Sequence, residues 1–128
     1  MPPLLLDTQA FLWWVSDDAR LTARARRAIA RDACVVSVAS CWEMSIKASL
    51  GKLTVDGSME KFIGGQLAAN GFTLLPIALE HTTAVARLPF HHRDPFDRLL
   101  AAQAEVEGLT LVTRDPAFEP YGVEVLRA

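Results

Sequence analysis

Apolar residues in this chain come in short runs separated by longer amphipathic stretches. Five runs read as β-strands: LLL (4–6), CVVSV (34–38), FTLL (72–75), LTLVT (109–113) and VEVL (123–126). Their near-continuous hydrophobicity suits strands covered on both faces, as in a parallel sheet; a half-exposed sheet would alternate. Between the runs, helical spacing predicts helices near 8–16, 22–32, 39–50, 58–70, 80–88 and 96–107. Gly51, Gly71 and Gly108 stand at expected helix ends, and Pro95 at an expected first helical position. This alternation predicts an α/β fold: a three-layer sandwich with a central, mostly parallel sheet of about five strands flanked by helices.

The totals narrow the field. With 128 residues and 51% hydrophobic content, the chain is expected to form a single domain over 1–128 with a substantial core. Its net charge of −2 does not advertise nucleic-acid binding, so any site for a polyanion has to be local. Two cysteines, Cys34 and Cys41, supply neither a CxxC pair nor a zinc set, which fits a reducing cytoplasm. MPPLLLDTQ has no basic lead, and Asp7 interrupts its apolar run, so a signal peptide is not expected. Nor does any apolar run approach membrane-spanning length, so no membrane role is expected.

Candidate chemistry lies in four acids. Asp7 directly follows LLL, and Glu43 lies in the first turns of the helix after CVVSV. Asp97 opens the helix that precedes LTLVT, and Asp115 follows that strand in VTRDP. In a parallel sheet the C-terminal strand ends share one edge, where ligands bind at a switch in strand order. Asp7, Glu43 and Asp115 fall on that edge by topology, with Asp97 expected nearby. Asp97 also shares a helical stripe with Leu100, Ala101 and Ala104, and Glu43 shares a face with Ile46 and Leu50. An acid on an apolar face costs free energy unless something compensates it.

Singly, each acid also reads as a cap. Asp94 suits an N-cap before Pro95, with Asp97 complementing the helix dipole. Ser40 and Glu43 match a capping box, Glu43 can pair with Lys47, and Asp7 and Asp115 can cap the helices that follow them. Together, four carboxylates on one edge repel one another, and a bound cation makes the arrangement favourable. An all-oxygen donor set points to Mg²⁺ or Mn²⁺.

At this point the sequence resembles a known family. LLLDTQAFLWW, SVASCWEMSIKASLGKL, HHRDPFDRLLAAQAEVEGLTLVTRD and YGVEVL are similar to PIN-domain proteins of the VapC toxin type, over nearly the whole chain. The resemblance implies a PIN-like α/β fold and Mg²⁺- or Mn²⁺-dependent endoribonuclease activity, as the toxin of a toxin–antitoxin pair. Its acidic quartet falls on Asp7, Glu43, Asp97 and Asp115, as metal and catalytic residues. It further implies an RNA substrate, a VapB-type antitoxin that blocks the cleft, and a homodimer. Gln9 departs from the histidine that often follows the Asp-Thr pair in close relatives.

Two other functions use the same residues. A metal-dependent phosphatase or phosphotransferase would employ Asp7 as nucleophile, and a non-catalytic relative would bind RNA or a partner protein without cutting. Thr8 and Thr113 have hydroxyls suited to orienting a carboxylate or water, though Thr8 also suits a plain helix start. Arg20, Arg24, Arg27 and Arg31 form a basic stripe opposite Ala25, Ala28 and Ile29, which reads as a solvated face or as a phosphate track. Trp13 and Trp14 read as core or as interface; His91, His92 and Arg93 read as an exposed loop or as phosphate contacts. Lys47 and Lys52 suit phosphate contact or pairing with acids. GG at 64–65 matches neither dinucleotide nor phosphate-loop spacing.

Overall fold

The computed structural model describes residues 2–89 and 94–128. Five strands, β1 (Leu4–Leu6), β2 (Cys34–Ser37), β3 (Thr73–Leu75), β4 (Thr110–Thr113) and β5 (Val125–Arg127), form one sheet in the order β3-β2-β1-β4-β5. All four pairings are parallel, and Leu4 sits opposite both Cys34 and Thr110. The central strand β1 is wholly buried, which explains its unbroken apolar sequence. Strand order reverses between β1 and β4, opening a crevice at their C-terminal ends.

Among the described residues six α-helices flank this sheet: α1 (Thr8–Val15), α2 (Ala23–Arg31), α3 (Val38–Ser49), α4 (Met59–Asn70), α5 (Leu79–Ala84) and α6 (Pro95–Glu107). Side chains alternate across the sheet and create two cores. Leu4, Leu6, Val36 and Val112 pack with Phe11, Ile29 and Ile63 on one face. Leu5 and Leu111 pack with Leu100, Ala101, Ala104 and Phe118 on the other. Each buried leucine contributes about 1.5–3 kcal/mol by leaving water, so both faces hold the sheet in register. The third helix packs against α1 on one side and α6 on the other, so it spans the two layers.

Local chemistry sets the helix boundaries. Gly108 ends α6 at φ +66°, a left-handed conformation that glycine adopts without steric cost. Asp94 caps the start of α6 by accepting from the backbone N–H groups of Phe96 and Asp97, with Pro95 as first helical residue. At α3 the expected Ser40–Glu43 capping box is not the cap. The second strand runs straight into the helix, so Ser37 caps it by accepting from Ala39 N–H, and Ser40 is buried as the third residue of the helix. The helix expected near 80–88 divides into α5 and a 3-10 turn at Val85–Arg87, and a further 3-10 turn, Pro116–Tyr121, follows β4. Arg20 precedes α2, whose cap is Thr22, so only three members of the basic stripe belong to the helix. No helix among the described residues is long and apolar enough to cross a membrane.

Candidate functional site

The structure brings Asp7, Glu43, Asp97 and Asp115 to the wall of one cleft of about 270 Å³, together with Thr8, Gln9, Lys47 and Arg114. Asp7 enters from the end of β1 and Asp115 from just beyond β4, flanking the switch in strand order. Glu43 arrives on α3 and Asp97 in the first turn of α6.

Each tether has a physical cause. Asp7 Oδ1 accepts from Ala10 N–H at 2.7 Å, so the acid caps α1 while lining the cleft. The Thr113 hydroxyl donates to the Asp7 carboxylate and accepts from Asp115 N–H at 3.1 Å, linking the two acids across the switch. Asp115 Oδ1 in turn accepts from Ala117 N–H at 2.9 Å, starting the 3-10 turn. Thr8 Oγ1 donates to Glu43 Oε1 at 2.6 Å, and Lys47 Nζ lies 3.3 Å from Glu43 Oε2. The cap and orienting readings of these residues are therefore compatible, because one group does both.

Asp7 is perturbed by its surroundings. Burial pushes its carboxyl above the usual carboxylate range, and the neighbouring charges of Glu43 and Asp115 push the same way. Hydrogen bonds from Thr113 and Ala10 pull against that rise. A buried acid facing further acids is an arrangement that a cation relieves. The donors are all carboxylate oxygens, the chemistry hard divalent ions take, so this wall fits Mg²⁺ or Mn²⁺. Among the described residues, the ligand-capable groups whose atoms all lie within 4.8 Å of one another are elsewhere, at Glu80, His81 and Glu107. The cleft acids thus line an open hollow, which suits a small ion that keeps several waters and binds through one or two carboxylates.

The Glu80–His81–Glu107 group reads differently. Buried His81 accepts from Ala78 N–H at Nδ1 (2.9 Å), which places its proton on Nε2, 2.8 Å from Glu107 Oε2. Nε2 then has no lone pair for a metal. Buried Gln103 also reaches Nδ1 at 3.3 Å and the Pro76 carbonyl at 3.4 Å. This network fastens α5 to α6. It was not visible in the sequence, where His81, Gln103 and Glu107 are isolated polar residues.

Arg114 also went unmarked in the sequence, although it lies between Thr113 and Asp115. It lines the cleft, donates to the carbonyls of Ala128 and Arg20, and stacks 4.6 Å from the centre of the Trp13 ring. Trp13 is buried in the core, and Trp14 Nε1 donates to Asn70 Oδ1 at 2.9 Å, so both tryptophans are held within the fold. The exposed tryptophan is Trp42 (59% exposed), which meets Phe96 edge-on at 5.0 Å between ring centres. Arg20 and Arg31 pair with Asp18 and Asp32, leaving Arg24 and Arg27 as the exposed middle of the basic stripe. His91, His92 and Arg93 lie outside the described residues. The glycines at 64–65 fall within α4, not in a phosphate loop.

A parallel sheet with carboxylates gathered at its switch point defines a class of α/β proteins built around an acidic cleft. The PIN domain model matches residues 4–123, and the chain belongs to that family. No curated protein matches the sequence. Among solved structures, the chain is similar to DNA-bound VapBC from Salmonella typhimurium (TM-score 0.73, 17% identity, 98% of each chain covered). It is also similar to VapBC2 from Rickettsia felis bound to a DNA fragment from their promoter (TM-score 0.72, 14% identity, 97% of each chain). A third is VapBC-5 from Mycobacterium tuberculosis, a member of the VapBC family of toxin–antitoxin systems (TM-score 0.64, 22% identity, 100% of each chain). At these identities the likeness shows a shared fold.

Proposed function

We propose that this PIN-domain protein is a Mg²⁺- or Mn²⁺-dependent endoribonuclease, acting in the cytoplasm as the toxin of a VapBC-type pair. The observation that carries this reading is the convergence of Asp7, Glu43, Asp97 and Asp115 on one cleft from four separate elements. Caps alone give no reason for them to meet. The similarity to VapBC structures supports a VapB-type antitoxin as partner, and a homodimer is part of the same proposal.

A divalent ion held here would supply charge relief on the phosphate and would make water more acidic. Asp7 and Asp97 are the acids we assign to hold it most directly, with Glu43 and Asp115 completing the site directly or through water. Thr8 and Lys47 fix Glu43, and Thr113 fixes Asp7, so the carboxylates are oriented before substrate arrives. The short Asp7 contact to Ala10 N–H ties one carboxylate oxygen to the backbone. That tie and the burial of Asp7 count against its use as the attacking nucleophile of a phosphotransferase.

The test compares wild type with Asp97→Asn, sequencing cellular RNA ends after brief induction and assaying the purified proteins with Mg²⁺, Mn²⁺ or EDTA. New RNA ends are expected with wild type alone, and cleavage in vitro with metal alone. Equal cleavage by a folded, cleanly purified Asp97→Asn would overturn the assignment. Tight RNA binding by wild type without any cutting would instead favour the non-catalytic relative.

A further inference from the structure

We propose that a single RNA chain crosses this protein along three contiguous hollows with the acidic cleft in the middle, and that Lys52 and Lys61 grip its backbone on the longer side. The proposal rests on the ribonuclease reading of the cleft. The largest hollow, about 780 Å³, lies between α1, the segment 52–56 and α4. It shares Gln9 and Lys47 with the cleft. The smallest, about 110 Å³, lies beyond the end of β4, shares Arg114 and Asp115 with the cleft, and adds Arg127. An enzyme that cuts within a polymer has to let the polymer leave the reacting phosphate in both directions. The concave surface running on from the cleft is where it goes.

Charge supports RNA as the occupant. The large hollow holds four basic side chains (Arg20, Lys47, Lys52, Lys61) against two acids (Asp18, Asp56), in a chain whose net charge is −2. Arg20 pairs with Asp18 at 2.7 Å and Lys47 with Glu43 at 3.3 Å, so those two cations mainly offset neighbouring acids. Lys52 and Lys61 are exposed on the same wall, and half-buried Phe62 lies beside them as a surface for a base to stack on. On the short side Arg114 is held by backbone carbonyls, leaving exposed Arg127 as the cation to meet the outgoing phosphate. Phosphate contacts along a cationic groove set affinity and its salt dependence, with little sequence preference. A protein segment would suit the apolar part of the wall, Leu12, Val15 and Leu53, but only an acidic one would also match the cationic excess.

The experiment measures binding of a fluorescein-labelled, unstructured RNA oligonucleotide in EDTA across a salt series. Wild type is compared with Lys52→Gln/Lys61→Gln and with Arg24→Gln/Arg27→Gln, which removes equal charge from the exposed face of α2. Surface changes of this kind leave folding nearly untouched. Loss of two phosphate contacts is expected to flatten the slope of log Kd against log salt by about 1.4, about 0.7 per contact, with the α2 variant unchanged. Equal flattening in both variants would reduce the track to general electrostatics, and an unchanged slope in the lysine variant would remove it. Unaltered RNA binding together with lost binding of an acidic peptide would reassign the groove to a protein partner. RNA cleavage by wild type with Mn²⁺ is measured in parallel. Cleavage with no effect of the lysine variant on slope or KM sinks the track alone, whereas no cleavage by wild type sinks both.

Discussion

Replacing Asp7 separates its structural part from its chemical one. As a cap, the residue needs only an acceptor for Ala10 N–H, and asparagine supplies one as well as aspartate does. As a metal acid, it needs the charge. Asp7→Ala removes the cap, at about 1 kcal/mol, and leaves the buried Thr113 hydroxyl short of an acceptor, at about 1–3 kcal/mol. The alanine variant should therefore lie about 2–4 kcal/mol below the asparagine variant, a difference on the order of 10 °C in Tm for a chain of this size. The pH dependence has a definite sign. Because the folded Asp7 carboxyl titrates above its ordinary value of 3.8, its contribution favours the fold at low pH and is lost as pH rises through the folded value. In EDTA at neutral pH, Asp7→Asn should thus melt no lower than wild type, since it removes a buried charge that Glu43 and Asp115 oppose. Adding Mg²⁺ or Mn²⁺ should raise the wild-type Tm by mass action and leave Asp7→Asn nearly unmoved. Circular-dichroism melts of the three proteins with and without metal decide the matter. Should Asp7→Asn fall in EDTA as far as Asp7→Ala, the carboxylate is a structural anchor and the metal reading of this residue fails.

Thr8→Val keeps the shape of a buried threonine but removes the 2.6 Å hydrogen bond that orients Glu43. Metal affinity, read by titration against Tm, should weaken about 10–100-fold with the metal-free fold little changed, and an unaltered titration would discount Thr8 as a positioning residue. His81→Leu takes the acceptor from Ala78 N–H and a partner from Gln103, and should cost about 1–3 kcal/mol for each buried group left unsatisfied. Denaturant melts measure that loss, and RNA cleavage by the folded variant should match wild type; a selective loss of cleavage would tie this network to the site.

The parallel sheet was legible because burial on both faces erases the alternation that an exposed face would impose, and Leu4–Leu6 shows this most plainly. Strand order was not legible, since nothing local in LLL or TLVT states that β1 lies between β2 and β4. The positions of the four acids needed only the rule that parallel strands end on one edge. Their tethers needed the tertiary fold: Thr8 and Glu43 are 35 residues apart, and His81 and Gln103 are 22 apart. The Ser40 reading failed for a local reason. A capping box assumes a loop before the helix, and here β2 passes into α3 without one.

Helix capping and cation binding place similar demands on a carboxylate, and in the proposed metal site Asp7 and Asp115 would meet both. A cap fixes one oxygen against backbone N–H groups, as at Asp7 with Ala10 and at Asp115 with Ala117. Fixing one oxygen restricts the side-chain torsions, which lowers the entropy a carboxylate still has to lose when an ion binds. At α6 the two demands fall on different residues, because Asp94 takes the cap and Asp97, three positions on, faces the cleft. At α3 the cap is Ser37, and Glu43 sits too far along the helix to share in it. That is why Glu43 is held instead by the side chains of Thr8 and Lys47, and why disturbing either partner should affect the site before it affects the fold.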